Sequence, residues 1–543
     1  MKAYLKARVA SSLDSLGLAG IASPSFEQPR VAAHGDLTTN IAMSLAKRTA
    51  RSPRQIAQQI VEKLEIDPTL VDRVEIAGPG FINFHFTDKF YHQQLGEILR
   101  QGKSFGKLDI GGGKKTQVEF VSANPTGPLT VGHGRGAVFG DTVARLLEWT
   151  NYDVTREYYF NNAGRQMRIL GDSVRLRYLE LLGEEVAFPE DYYQGEYIRE
   201  IARHIMETHG DTKKNEPAEG LFKQRAEEEI FDDIKQTCKR LGVLFDVFYN
   251  ENSLYETGKV KEVIEEFKQK GLAYEQDGAV WLRTSALGGE KDKVIVKSTG
   301  EPTYRLPDIA YHREKFRRGF NLIIDVLGAD HIATYPDVLA GLKALGFETE
   351  NVKVLIHQFV TIVQGDEVVK MSTRKANFIT LDELMDEVGA DVVRYFFLMR
   401  GINSHLNFDL KLAKEQSEEN PVYYLQYAHA RIASIIRNAE SQGVNPEETG
   451  NYSLLKNPEE IALLKNLTTF PDIVESCSET HEPHRLAEYL HVVAGCYHKF
   501  YHGHRVLGDD RSLTAARIAL CLATKTVLAN GFTILGITAP EKM

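Results

Sequence analysis

Cysteine is scarce in this sequence: 543 residues hold four, Cys238, Cys477, Cys496 and Cys521. They are scattered, and no two stand at metal-ligand spacing. Reduced, partly buried thiols are therefore expected, with neither disulfides nor a structural metal. Long hydrophobic runs are wanting too, since none approaches the roughly 18 residues that span a bilayer. The opening stretch MKAYLKARVASSLDSL alternates charged and apolar residues at helical spacing and lacks the apolar core of a signal peptide. A cytoplasmic protein with no membrane partner is expected. Positive charge is not in excess either: the net charge is −10, so nothing global attracts nucleic acid, and such a partner would need local basic surfaces. Internal repeats and low-complexity tracts are absent. What remains, 43% apolar and 26% charged residues, is the composition of a folded soluble chain. The length implies about three or four domains.

The texture changes twice along the chain. Residues 1–108 read as an α+β unit. Ile56, Ile60 and Leu64 form a helical stripe after Ser52-Pro53, with proline at a first helical position. Val74–Ala77 and Phe81–Phe86 flank Gly78-Pro79-Gly80, and Ile82, Phe84 and Phe86 alternate with Phe81, Asn83 and His85 as in a half-buried strand. Gly111–Gly113 reads as a linker. In residues 109–407 a β-prone Gln117–Val121, a Pro/Gly turn, a helix from about His133 to Trp149 and a β-prone Asn151–Tyr159 suggest the first crossover of a nucleotide-binding parallel sheet. A mostly helical, charged insertion is expected at about 170–290, with further strands at Ile323–Leu327 and Val354–His357. In residues 408–543, Leu425, Ala428, Ile432 and Ile435 form one helical face and Ala516, Leu520, Ala523 and Val527 another. The expected fold is α/β: a Rossmann-like parallel-sheet domain between an N-terminal α+β domain and a C-terminal α-helical bundle.

The chemistry concentrates in Ser122–Arg135, which reads SANPTGPLTVGHGR between a strand and a helix. Glycines on both sides of His133 allow a flat ligand such as adenine to approach the backbone. The helix N-terminus offers free N–H groups to phosphates, and His133 can donate to an oxygen that gains charge. A glycine-rich turn with an exposed histidine is the plain alternative. Some 240 residues on, Lys370-Met371-Ser372-Thr373-Arg374-Lys375 follows a hairpin-like Val360–Val369 and sets three cations within six residues, as suits a polyphosphate. Alone, such a run is more often a solvated basic loop.

Together and in this order, the two segments resemble the HIGH and KMSKS loops of class I aminoacyl-tRNA synthetases. Thr130 stands at the first histidine position of HIGH, while His133 keeps the second; Thr373 replaces the second lysine of KMSKS. The resemblance implies ATP binding, as a Mg2+ complex, by Pro125, Gly127, Gly132, His133, Gly134, Lys370, Met371 and Ser372. It implies catalytic work by Thr130, His133, Lys370, Ser372, Arg374 and Lys375.

Further segments resemble the arginyl-tRNA synthetases in particular. They are His34-Gly35-Asp36 with Asn40, Gly78–Asn83, Val118–Pro128, Pro302-Thr303-Tyr304 with Asp308–His312, Leu327–His331, Tyr427–Arg431 and the closing Ala539–Met543. The resemblance is weakest over 170–290. It implies that L-arginine, ATP and tRNA(Arg) are the partners, that the enzyme is a monomer, and that tRNA must bind before arginine is activated. It places Glu119 and Asn124 near the α-amino end of arginine, with Tyr304 and Asp308 around the side chain and His331 nearby. A guanidinium is a planar fork of donors, so such a pocket needs carboxylates and a flat wall. No block suggests an editing domain. Lys47, Arg48, Arg51 and Arg54 form a basic cluster, and the family places Phe81 and Asn83 against an unpaired base of the tRNA elbow. In the bundle, Tyr423, Tyr424, Tyr427 and Tyr501 are available to stack on anticodon bases. Two other readings remain open: a different class I synthetase or adenylate-forming ligase, and a catalytically weak RNA-binding paralogue suggested by Thr130 and Thr373.

Overall fold

Strand order fixes where a ligand enters this molecule. The computed structural model describes residues 1–543 apart from 30, 50, 304, 366, 369–378 and 446–449. Five parallel strands form the large sheet, in the spatial order Val352–His357, Leu322–Gly328, Lys115–Glu119, Asp153–Phe160 and Val247–Asn250. The first of these five in chain order, Lys115–Glu119, lies in the middle. The chain winds outward on one side of it and then crosses to the other. That reversal opens a crevice beyond the carboxyl ends of Lys115–Glu119 and Leu322–Gly328, where doubly wound sheets take their ligands.

The register sets Asp325 opposite Glu119, and Glu119 opposite Glu157, so three acids from adjacent strands share one face. The helix Arg305–Arg317 covers that face through Tyr311 and Lys315. Alternation sends Val118, Tyr158 and Ile324, all fully buried, to the other face. The helix Val131–Trp149 packs there; it follows the glycine-rich loop.

Two expectations need correction. The stretch 170–290 is mostly helical but not wholly an insertion between sheet halves: Val247–Asn250 is the edge strand of the large sheet. A small antiparallel sheet also forms from Ala273–Gln276, Ala279–Leu282 and Lys293–Val296. Each of these strands has four residues, too few for a period-two pattern to stand out beside long charged helices. The N-terminal unit also ends earlier than residue 108. Its own core, including Leu5, Val9, Ile41, Leu45, Ile56, Ile60, Ile82 and Phe84, stops at the hairpin Val71–Ala77/Phe81–Phe86. The next helix, Asp88–Gln101, buries Phe90, Tyr91, Leu95 and Ile98 in the main core instead. It packs on the bundle helices Pro458–Thr468 and Arg511–Leu535.

The C-terminal region is a bundle, and its helices Pro421–Ser441 and Arg511–Leu535 start on side-chain caps. Asn420 accepts from the N–H groups of Val422 and Tyr423, and Asp510 from those of Ser512 and Leu513. The helix Arg511–Leu535 is long and apolar enough to cross a membrane by length and composition, contrary to the sequence expectation. In the fold it is a largely buried core helix of the bundle.

One buried junction ties this bundle to the sheet domain. Asp141, on the helix Val131–Trp149, accepts from Arg394 and Arg145 at 2.7 Å each and from Arg156 at 3.3 Å. Arg394 also donates to the carbonyls of Leu535 and Leu241 at 3.0 Å, so its guanidinium caps the end of the terminal helix. Asp141 and Arg394 are each 1% exposed. Removing one partner of such a pair strands a buried charge. Asp141→Ala is expected to cost about 3–5 kcal/mol, read as a lowered unfolding midpoint; an unchanged midpoint would show that the junction adds nothing to stability.

Candidate active site

The glycine-rich loop begins in strain. Immediately after the central strand, Val121 and Ser122 have φ of 67° and 46°, and left-handed backbone costs a non-glycine residue about 1–3 kcal/mol. Side chains hold the turn. The Ser122 hydroxyl donates to Glu119 Oε1 at 2.9 Å and accepts the Tyr159 N–H at 3.1 Å. Further along, the Ala123 carbonyl accepts the Tyr158 hydroxyl at 2.7 Å, and the Thr126 carbonyl accepts that of Tyr197 at 2.9 Å.

Thr130 caps the helix Val131–Trp149. Its N–H donates to His133 Nδ1 at 3.1 Å, and its hydroxyl lies 3.3 Å from the same atom. Nδ1 is thereby an acceptor, which puts the ring proton of the neutral imidazole on Nε2. Burial lowers the His133 pKa, with Asp330 partly opposing, so the ring is held neutral.

The three loop glycines differ. A Cβ on Gly134 would meet Leu381 Cδ1 at 2.6 Å and Phe397 Cε2 at 3.0 Å, and one on Gly127 would meet the Tyr197 hydroxyl at 2.9 Å. Both are needed for packing within the protein. At Gly132 the nearest atom is its own neighbour Thr130 Oγ1, at 3.7 Å, so this glycine alone of the three leaves its face open. Pro125 is buried.

Lys370, Met371, Ser372, Arg374 and Lys375 lie outside the described residues. The segment that follows them is described and meets the first loop directly. The Leu381 N–H donates to the Leu129 carbonyl at 2.8 Å, and Thr130 and Thr380 form an antiparallel bridge. Thr380 caps its own helix, Leu381–Val388, through a capping box with Glu383. Two helices therefore start from one backbone bridge.

The residues expected around arginine divide. Tyr304 lies outside the described residues. Asp308 sits in the first turn of the helix Arg305–Arg317, and no described Lys, Arg or His side chain forms an ion pair with it. Burial pushes its carboxyl up to about 7; Glu251 and Glu119 add to the shift, while His312 and Lys315 oppose it. Glu119 is 5% exposed and doubly engaged, by Ser122 on one oxygen and by Lys315 Nζ at 2.5 Å on the other. Asn124 is exposed: its amide oxygen accepts the Asn161 N–H at 3.0 Å and its amide nitrogen donates to Gln166 at 3.2 Å. His331 lies on a short turn after the strand Leu322–Gly328, exposed and 3.6 Å from its neighbour Asp330, so it borders the crevice without lining a buried pocket.

Sequence reasoning missed Glu251. It follows the edge strand Val247–Asn250, is 8% exposed, and accepts from the Tyr159 hydroxyl and Asn161 Nδ2 at 2.8 Å each. No described cation pairs with it, and burial raises its pKa although Tyr159 and Tyr255 donate to it. Tyr159 stacks on Tyr311 with ring centroids 4.3 Å apart, which supplies an aromatic wall. The signal available was the run Val247-Phe248-Tyr249, which marks a strand end and hence a crevice residue.

The residues expected to meet RNA also divide. Phe81 is partly exposed and Arg51 is exposed. Asn83 is 2% exposed, and its Oδ1 accepts the Thr38 hydroxyl at 2.6 Å. Its strand is central in the small sheet and Thr38 is its direct cross-strand partner, so the side chain is committed inward. Tyr427 stacks on Tyr423 at 6.0 Å, and the Arg431 guanidinium lies 5.4 Å from its ring and 4.4 Å from that of Tyr501.

Comparison with known proteins agrees along the whole chain. Residues 94–395 match the family described as tRNA synthetases class I (R), catalytic domain. Residues 3–86 match the arginyl tRNA synthetase N terminal domain, and residues 425–543 the DALR anticodon binding domain. An arginine–tRNA ligase of Desulfotalea psychrophila is 53% identical over 96% of this chain and 95% of its own length. That of Salinibacter ruber is 49% identical over 100% of both chains. The Thermus thermophilus arginyl-tRNA synthetase has the same fold, with a TM-score of 0.79 at 22% identity over 100% of both chains.

The glycine geometry separates packing from ligand approach. Gly134→Ala is expected to destabilise the protein by about 1–3 kcal/mol through overpacking. Gly132→Ala is expected to leave the melting temperature nearly unchanged and to raise the KM for a nucleotide. Thermal melts paired with nucleotide titrations of both variants check this, and a reversed pattern would exchange the two roles.

Proposed function

The chain belongs to the class I arginyl-tRNA synthetases and is an arginine–tRNA ligase, and on that premise we propose how its crevice divides the reaction. ATP enters as its Mg2+ complex, with the adenine along the open face of Gly132 and the phosphates at the N-terminus of the helix Val131–Trp149. Arginine lies across the carboxyl ends of the central strands. Its carboxylate attacks the α-phosphorus, pyrophosphate leaves, and the arginyl-adenylate forms. A ribose hydroxyl at the tRNA 3′ end then attacks the carbonyl, AMP leaves, and arginine is esterified to tRNA(Arg).

His133 donates its Nε2 proton as a hydrogen bond to a phosphate oxygen that gains charge, and Thr130 fixes the tautomer that makes this donation. Lys370, Ser372, Arg374 and Lys375 neutralise and close over the triphosphate, with Met371 alongside. Asp308 and Glu251 receive the guanidinium against the Tyr159 wall together with Tyr304. Asn124, with Glu119 beside it, receives the α-amino group. The observation that carries this reading is a pair of carboxylates, half-buried Asp308 and buried Glu251, without a cation among the described residues. A cationic substrate satisfies both. The N-terminal unit meets the tRNA elbow through Phe81 and Arg51, the bundle stacks an anticodon base on Tyr427, and tRNA binding precedes activation. The enzyme works as a cytoplasmic monomer.

Arginine-dependent pyrophosphate exchange, run with and without total tRNA and across pH, tests this. The guanidinium pairs with ionised Asp308, whose free-enzyme pKa is about 7. Arginine affinity should therefore rise with pH up to that value and level off above it, losing up to about tenfold per unit below. Asp308→Asn should flatten the profile and weaken arginine on the order of 10²-fold; a wild-type profile in that variant would remove Asp308 from the pocket. His133→Ala should slow activation by about 10²–10³-fold, and a near-normal rate would remove its role.

A further inference from the structure

Lys315 has no task in the reaction as written, yet it is the most completely enclosed cation near the crevice. Its side chain is 0% exposed. The ammonium lies 2.5 Å from Glu119 Oε2, 2.6 Å from Asp325 Oδ1, and 4.3 Å from the centroid of the Tyr311 ring. Enclosing an ammonium this fully is costly unless its hydrogen bonds hold something in place. What it holds is traceable atom by atom. Glu119 Oε1, the oxygen not bound to Lys315, accepts the Ser122 hydroxyl. That hydroxyl in turn accepts the Tyr159 N–H, bridging two strands where the central one ends. Val121 and Ser122, both left-handed, are the residues from which the ATP loop departs.

We propose that Lys315 is a positioning residue: by fixing the Glu119 carboxylate in place, it holds Ser122 and hence the turn that sets the ATP loop over the sheet. Lys315 stands seven residues after Asp308 on the helix Arg305–Arg317, two turns along the same face. The Lys315–Glu119–Ser122 chain therefore joins the helix that receives the arginine side chain to the loop that receives ATP. A shift of that helix when arginine enters reaches the ATP loop through three side chains.

Among the described residues, the surroundings of Glu119 leave no substitute for Lys315. Glu157, on the neighbouring strand, is held by Arg318 at 2.5 and 2.8 Å and by the Tyr311 hydroxyl at 2.5 Å. Asp325, on the other neighbour, shares Lys315 and also meets His312 Nε2 at 2.8 Å. Asp308 and Tyr159 complete the titratable groups around it. Without the ammonium, Glu119 faces three acids and no cation among the described residues, and its carboxylate is no longer held against Ser122.

The inference rests on the proposed placement of arginine and ATP, and the test separates the two. Aminoacylation by the full-length enzyme is measured for the wild type, Lys315→Met and Ser122→Ala, giving kcat and the KM for arginine and for ATP, with a melting curve for each. Lys315→Met should lose on the order of 10²-fold in kcat/KM at neutral pH, as misplacement of a reacting group does, with the KM for both arginine and ATP raised. A merely structural role would lower the melting temperature and leave both KM values unchanged, so a folded Lys315→Met enzyme with wild-type KM values overturns the proposal. Where Lys315→Met fails to fold, Ser122→Ala decides: the KM for both arginine and ATP should rise, and unchanged values overturn the proposal. Failure of the functional reading looks different, because the wild type itself would then not charge arginine.

Discussion

The structure depends on a row of three acids, Asp325, Glu119 and Glu157, which adjacent parallel strands set side by side beneath one helix. Strands in a sheet are about 4.8 Å apart, so the register forces like charges together inside the protein. The row is tolerable only because the covering helix and its end return matching cations: Lys315 to Asp325 and Glu119, and Arg318 to Glu157. His312 adds a further contact: its Nε2 faces the Asp325 carboxylate and its Nδ1 the Asp308 carbonyl, each at 2.8 Å. Each acid of the row thus has a partner. Asp308 and Glu251, just beyond the row, are left over, and in the proposed placement that remainder is what arginine completes.

The same interaction explains how the ATP loop is built. A strand that ended freely at Glu119 would not hold two consecutive left-handed residues, one of them β-branched. The Glu119–Ser122–Tyr159 clamp keeps them there and aims the chain across the carboxyl ends of the strands. On the far side of the loop, the Thr130–Thr380 bridge ties it to the segment that follows the second motif. The loop is thus held at its start by charge and at its end by backbone pairing. The departure from HIGH at Thr130 acquires a physical sense. A threonine can cap the helix, and its backbone N–H serves His133 Nδ1, so the second histidine is orientated without the first.

Much of this was legible in the sequence, and the rest was hidden for identifiable reasons. The central strand, the loop, the long helix after it and the helical bundle announced themselves by periodicity and by glycine placement. Glu119 and Asp308 came from resemblance, and the structure adds what surrounds them. Lys315 was invisible because a lysine on a charged helix reads as a solvated face; only the register of three distant strands turns it inward. Glu251 was lost with its four-residue strand. Asn83 was misread because alternation predicts an outward side chain, whereas the strand Phe81–Phe86 is the central one of its sheet and Thr38 takes the asparagine inward. Gly134 looked like a ligand contact, yet its requirement for no side chain comes from Leu381 and Phe397, which are more than 240 residues away in the chain.

The two carboxylates without a cation among the described residues also bear on discrimination. They come from different elements, Asp308 from a helix over the sheet and Glu251 from a strand end. A single ammonium is a compact point charge, and it would satisfy one of them while leaving the other desolvated beside it. A guanidinium spreads its charge over a planar fork of five N–H donors, so it can address both at once. Neutral citrulline fits the shape but gives neither acid a counter-charge. The free enzyme meanwhile avoids the full cost of two negative charges, because Asp308 is held near half protonation at neutral pH. Specificity in this reading resides less in any one contact than in a charge deficit divided between two elements, which only a forked cation can close.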